Sequence, residues 1–174
     1  TIFTCTVADL HGTAMYTGAC GDCGVTANDG PFRRELATNV TSAGAPSENL
    51  TTDSWRLASA KGLPNRFITA IEIDPNDAKT VYVGIGAYQS PYRGPNSFGE
   101  DSTGADVEAG NIFKSTDAGE TFTDISGNLP KMPVNTIVMR QGQLLIGTDG
   151  GAFISADGNG GTWAPLGSGR SIIQ

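Results

Sequence analysis

The chain has 174 residues, 38% hydrophobic and only 17% charged, with 24 glycines and 9 prolines. That length suffices for one domain with a core, and the Gly and Pro content fits many short strands and turns rather than long solvated helices. A formal net charge of −7 without any Lys/Arg cluster argues against nucleic acid or an anionic membrane as partner, and no apolar run approaches the ~18 residues of a membrane helix.

In chain order, residues 3–8 and 13–18 read as a strand pair around His11-Gly12. The opening Thr1-Ile2-Phe3 reads as mid-strand, without a signal peptide, as in a processed chain or a fragment. Three cysteines follow the same early stretch: Cys5, Cys20 and Cys23. Cys20-Gly21-Asp22-Cys23 is a single C-x-x-C without a second pair or a nearby His, and without the βαβ context of a redox motif. It reads as a small loop disulfide between Cys20 and Cys23, with Cys5 a buried free thiol. Residues 35–40 and 54–57 are the next strands, and Gly62-Leu63-Pro64 closes the unit. Asn39-Val40-Thr41 and Asn49-Leu50-Thr51 match the N-glycosylation pattern, which chance supplies readily in a Ser/Thr-rich chain.

A second unit begins at Arg66. Residues 67–73 alternate as a strand with one buried face, Asp74-Pro75-Asn76-Asp77 is a turn, and residues 80–85 form a more apolar strand. Residues 110–115 and 121–125 complete four strands, and Gly127-Asn128-Leu129-Pro130 ends the unit. A third, compact unit has strands at 134–139, 143–148, 152–155 and 162–166. Its spacing, and that of the second unit without its insertion, falls near the ~40–50 residues of a propeller blade. The units are 1–65, worn; 66–130, with a long insertion between its second and third strands; and 131–169. Residues 170–174 are a tail or the start of a further unit. Trp55, Phe122 and Trp163 hold the same place in the three units.

Two of the turns share a signature. Ser115-Thr116-Asp117-Ala118-Gly119-Glu120-Thr121-Phe122 recurs as Ser155-Ala156-Asp157-Gly158-Asn159-Gly160-Gly161-Thr162-Trp163, with one extra residue. This pattern resembles the Asp-box, also called the BNR repeat, of β-propellers such as sialidases, xyloglucan-cleaving glycoside hydrolases, sortilin-type receptors and secreted bacterial glycosyl-hydrolase-like proteins. The resemblance covers residues 66–167 well and 1–65 loosely. It implies an all-β fold, a partial propeller of about three four-stranded antiparallel blades. It also implies a secreted, extracellular protein.

The turn residues themselves carry no acid–base chemistry. An Asp at the head of a turn accepts backbone N–H groups further along. Gly119, with Gly160 or Gly161, takes the positive φ such a turn needs, and the aromatic packs beneath it. Ser115, Asp117, Gly119, Thr121 and Phe122, with Ser155, Asp157, Gly161, Thr162 and Trp163, are therefore expected to be scaffold. In a four-stranded meander the 1–2 and 3–4 turns lie at one end, and the 2–3 loops lie at the other. Both insertions, about residues 21–34 and 88–109, fall in 2–3 loops and so leave from the end opposite the signature turns. Function collects on loops held by a rigid scaffold.

The second insertion mixes Tyr88, Tyr92, Phe98 and Arg93 with Glu100, Asp101, Asp106 and Glu108; the first adds Arg33 and Arg34. Aromatic faces with forked polar groups suit a glycan. Glycosidic cleavage needs two carboxylates ~5–9.5 Å apart, for which those four acids are the candidates. Calcium held by Asp101, Asp106 and Glu108 is the one metal alternative, without EF-hand spacing; no other cofactor is expected. The sialidase pattern of three arginines with Tyr and Glu has no motif here that assigns it. His11, the single histidine, sits in a turn at the signature end, which argues against Ser-His-Asp chemistry. The expectation is a carbohydrate-active, glycoside-hydrolase-like propeller module. Its alternative is a non-catalytic adhesion, scaffold or protein-binding propeller. Because propellers close with ~4–8 blades, the missing ones must come from a parent chain, another chain or self-association.

Overall fold

The structure, a computed structural model, describes residues 4–8, 14–19, 35–41, 55–64, 68–86 and 110–167, and these contain strands and turns but no helix. Twelve strands form three four-stranded antiparallel sheets, each a meander in chain order. The first holds β1 (Thr4–Ala8), β2 (Met15–Ala19), β3 (Glu35–Thr38) and β4 (Arg56–Leu57). The second holds β5 (Ile68–Asp74), β6 (Asp77–Ile85), β7 (Ile112–Ser115) and β8 (Thr123–Asp124). The third holds β9 (Val134–Arg140), β10 (Gln143–Thr148), β11 (Gly151–Ser155) and β12 (Ala164–Pro165). The first strands of successive sheets lie beside one another, β1 next to β5 and β5 next to β9. This is a partial β-propeller, all-β, with its sheets stacked face to face around the edge of their first strands.

Every expected strand is present, but the fourth strands are shorter than the pattern suggested. Phe122 donates its N–H to Lys61 O rather than to β7, so β8 starts only at Thr123. Trp163 donates its N–H to Asn128 Oδ1 at 2.7 Å, and β12 starts at Ala164. At the other end, Asn111 N–H goes to Ser126 Oγ at 2.9 Å, and β7 starts at Ile112. The expected third strand of the first unit stops at Thr38, since Asn39 turns its Oδ1 to the Met15 N–H at 2.6 Å. Each shortening has one cause: a side chain or a neighbouring sheet takes the backbone group that the ladder would have used.

Two cores fill the stack. One, between the first and second sheets, joins Tyr16 and Leu36 to Ile71, Val83, Phe113 and Phe122. The other, between the second and third, joins Tyr82, Ile112 and Ile125 to Ile137, Leu144, Ile146 and Trp163. Alternation along each strand makes this possible: one set of side chains meets the preceding sheet and the next set meets the following one. Close approach has its own device. A Cβ on Gly18 would lie 2.7 Å from Ile68 Cγ2, and one on Gly84 would lie 3.0 Å from Val134 Cγ1. Glycine in the second strand thus lets the first strand of the following sheet settle against it.

Candidate functional site

At the signature end, the geometry follows from Ser115, which ends β7 buried. Its hydroxyl donates to Asp117 Oδ1 at 2.8 Å and accepts the N–H of Gly119 at 3.0 Å. Asp117 Oδ1 also accepts the Thr121 N–H at 2.9 Å, while Oδ2 takes the Thr121 hydroxyl at 2.6 Å. Gly119 takes φ +87°, which an L side chain rarely adopts. Slight burial opposes ionisation of Asp117, but bonds from Thr121, Ser115 and the Glu120 N–H outweigh it and lower its pKa. In the second turn, Asp157 Oδ1 accepts the Asn159 N–H at 2.9 Å, two residues on rather than four. The extra residue is absorbed by two glycines at positive φ, Gly160 at +67° and Gly161 at +77°.

These turns also fasten one sheet to the next, which sequence reasoning missed. Ala60 and Lys61, leaving the first sheet, donate to Gly119 O and Glu120 O of the second. Arg56 forms an ion pair with Glu120 across the same boundary. Between the second and third sheets, Tyr82 donates its hydroxyl to Gly158 O at 2.9 Å, and Lys114 Nζ donates there at 2.9 Å. Trp163 donates its indole N–H to Ile125 O at 2.9 Å, and Asn128 brackets the Trp163 backbone from both sides. The one available signal was the repeated Leu-Pro exit of each unit, Leu63-Pro64 and Leu129-Pro130, preceded by Asn128 in the second.

The opposite end of the second sheet carries a hydrogen-bonded collar. Ile85 and Asn111 close it: Ile85 N–H donates to Asn111 O, and Asn111 Nδ2 donates to Ile85 O at 3.2 Å. Ser126 Oγ accepts the N–H groups of Asn111 and Ile112 at 2.9 and 3.1 Å. Asp124 accepts the Gly110 N–H on Oδ2 at 2.9 Å and the Ser126 N–H on Oδ1 at 2.8 Å. Beside this collar is an open depression of about 110 Å³, lined by Gly110, Asn111, Asp124, Ser126, Gly127, Leu129, Pro130 and Lys131. A complete small-molecule site is ~300–1,000 Å³, so this depression alone is smaller than one. Asp149 lies at the same end of the third sheet, where it accepts from Asn135 Nδ2 at 2.6 Å. Both of these carboxylates are held by scaffold donors.

No family model matches the chain, and no curated protein matches it. Among solved structures, the crystal structure of the Niastella koreensis GH74 enzyme is similar at 16% identity, with a TM-score of 0.39, over 92% of this chain. The match spans 29% of the length of that enzyme.

The remaining residues singled out by sequence divide sharply. Arg33, Arg34, Tyr88, Tyr92, Arg93, Phe98, Glu100, Asp101, Asp106 and Glu108 lie outside the described residues, as do His11, Cys20 and Cys23. Every described aromatic side chain is buried or half-buried. Among the described residues, no group of three or more His, Cys, Asp or Glu side chains is placed to hold a metal, and no helix is long and apolar enough to cross a membrane. Asn39, of the first glycosylation pattern, is only 2% exposed.

Proposed function

We propose that the chain is part of a secreted Asp-box β-propeller that binds glycan at the end bearing its insertions, as a glycoside-hydrolase-like module. One observation carries the reading. The larger insertion, about residues 88–109, precedes the collar of Asn111, Asp124 and Ser126, at the end of the second sheet opposite the Asp117 turn. A loop rooted in so many side-chain bonds has a defined base, as a binding loop needs. Tyr88, Tyr92 and Phe98 supply aromatic faces for a sugar, and Arg93, with Arg33 and Arg34 of the first insertion, supplies forked donors. Every described aromatic side chain is buried or half-buried, which supports these loop residues as the candidate platform. The candidates for a hydrolytic pair are Glu100, Asp101, Asp106 and Glu108, since Asp124 and Asp149 at this end are engaged by scaffold donors.

That same engagement favours a second reading, a propeller that binds without cleaving. A polysaccharide panel separates the two, with affinity electrophoresis for binding and reducing-end detection for cleavage. Retardation by at least one polysaccharide, abolished by the combined Tyr88→Ala, Tyr92→Ala and Phe98→Ala substitution, is expected. Reducing ends released in the same assay, and lost in Glu100→Gln or Asp106→Asn, identify the hydrolase. Absence of retardation by every polysaccharide would overturn the glycan reading.

A further inference from the structure

Asn159-Gly160 is the single Asn-Gly pair in the chain, and it lies at the tip of the second signature turn. That turn is tied differently from the first. Asp117 reaches four residues on, to the N–H and hydroxyl of Thr121, whereas Asp157 holds the Asn159 N–H, two residues on. Asn159 is exposed, and Gly160, at φ +67°, has no side chain to shield its backbone nitrogen. Gly161 gives its N–H to Ile125 O at 2.8 Å, but among the described residues no acceptor takes the N–H of Gly160.

The side-chain carbonyl of Asn159 meets a cation. Lys114 Nζ donates to Asn159 Oδ1 at 3.1 Å and to Gly158 O at 2.9 Å, and it lies 5.6 Å from the centre of the Tyr82 ring. A charged donor on a carbonyl oxygen draws electron density from the carbon and stabilises the oxyanion that forms when a nucleophile adds there. The nucleophile is the next backbone nitrogen, which reaches Cγ by closing a five-membered ring within one chain. The other described asparagines lack this combination. Asn39 and Asn111 are buried and precede Val40 and Ile112. Asn128 is bonded to the Trp163 backbone on both sides. Asn76 and Asn135 give their Nδ2 groups to Asp74 and Asp149.

We propose that Asn159 is a site of spontaneous modification, deamidated by the Gly160 nitrogen with Lys114 polarising the amide. The Gly160 nitrogen bonds to Asn159 Cγ and gives up its proton. The Cγ–Nδ2 bond breaks, and the amide nitrogen leaves with that proton as ammonia. Water then opens the succinimide. Opening at the side-chain carbonyl leaves aspartate, whose carboxylate meets Lys114 where the amide oxygen did. Opening at the main-chain carbonyl leaves isoaspartate, which adds a methylene to the backbone of the turn. The first product places an ion pair between the second and third sheets, the counterpart of Arg56 with Glu120 between the first and second. The second lengthens the chain just before Gly161, whose N–H holds Ile125 O across the same boundary. The inference is independent of any glycan at the insertion end.

Peptide mapping by mass spectrometry tests it, on the purified chain incubated at mildly alkaline pH, folded or unfolded in guanidinium chloride. In the folded chain, position 159 should exchange its amide for a carboxyl severalfold faster than Asn39, Asn111 or Asn128. Its folded rate should match or exceed its unfolded rate, and a lower folded rate overturns the proposal, because the turn would then protect the amide. Lys114→Met should slow conversion at 159 severalfold in the folded chain and leave the unfolded rate unchanged. An unchanged or higher folded rate in Lys114→Met, with far-UV circular dichroism like that of the parent, overturns the role given to Lys114.

Discussion

At the residue scale, two carboxylates of the second sheet respond to pH in opposite directions. Asp117 is held ionised by the Thr121, Ser115 and Glu120 donors, so its folded pKa lies below the unfolded value. Its stabilisation is present above the unfolded pKa, about 3.9, and is lost as pH falls through the folded one. Asp117→Ala should cost about 1–2 kcal/mol at pH 7 and flatten the acid limb of melting temperature against pH. Glycan retardation should be unchanged, because the turn lies at the far end from the insertions; equal stability with lost binding would reverse the assignment. Glu72 is the opposite case. Burial raises its pKa, and the N–H of Met139, a bond of 2.9 Å from β9, only partly compensates. Its contribution is present below the unfolded pKa and is lost as pH rises through the folded one. Glu72→Gln keeps an acceptor for Met139 and removes the charge, so the variant should melt higher at pH 7 and converge with the parent in acid. Thermal melts at pH 4 and pH 8 check this; a gap that is constant with pH would contradict it.

At the element scale, the collar predicts how the long insertion is anchored. Ser126 Oγ serves two backbone N–H groups, and it is buried. Ser126→Ala leaves both without that acceptor, at about 1–3 kcal/mol. Hydrogen exchange at Asn111 and Ile112 should accelerate, while exchange in β9–β11 stays as it was; uniform acceleration would mean a global effect instead. Strand existence was legible because it rests on local alternation, as in residues 67–73 and 134–139. Strand ends were not, since Phe122, Trp163 and Asn111 give their N–H groups to residues distant in sequence. The Asp117 turn was legible because its bonds close within seven residues, Ser115 to Thr121. Its second role, gripping the exit of the preceding sheet through Gly119 O and Glu120 O, depends on stacking that no local pattern records. The candidate site was legible only by direction. Meander topology placed the insertions opposite the turns, whereas which loop side chains converge depends on contacts far apart in the chain.

At the scale of the whole molecule, stability follows the order of the sheets. Among the described residues, the second sheet has a core on each face, while the first and third each have one. In a repeat array, each unit is held by its own strands and by its nearest neighbours, so the doubly buried unit opens last. Amides of β6 and β7 should therefore be the most protected, more so than those of β10. Trp163 tests the coupling, because its ring lies in the second core and its N–H holds Ile125 O in the exit of the second sheet. Trp163→Ala should cost about 3–5 kcal/mol, as large aromatic truncations in a core do. The cost should fall on the third sheet and its boundary, lowering protection in β9–β11 far more than in β2 and β3. An equal loss of protection across all three sheets would mean that they unfold as one cooperative unit, and the nearest-neighbour account would fail.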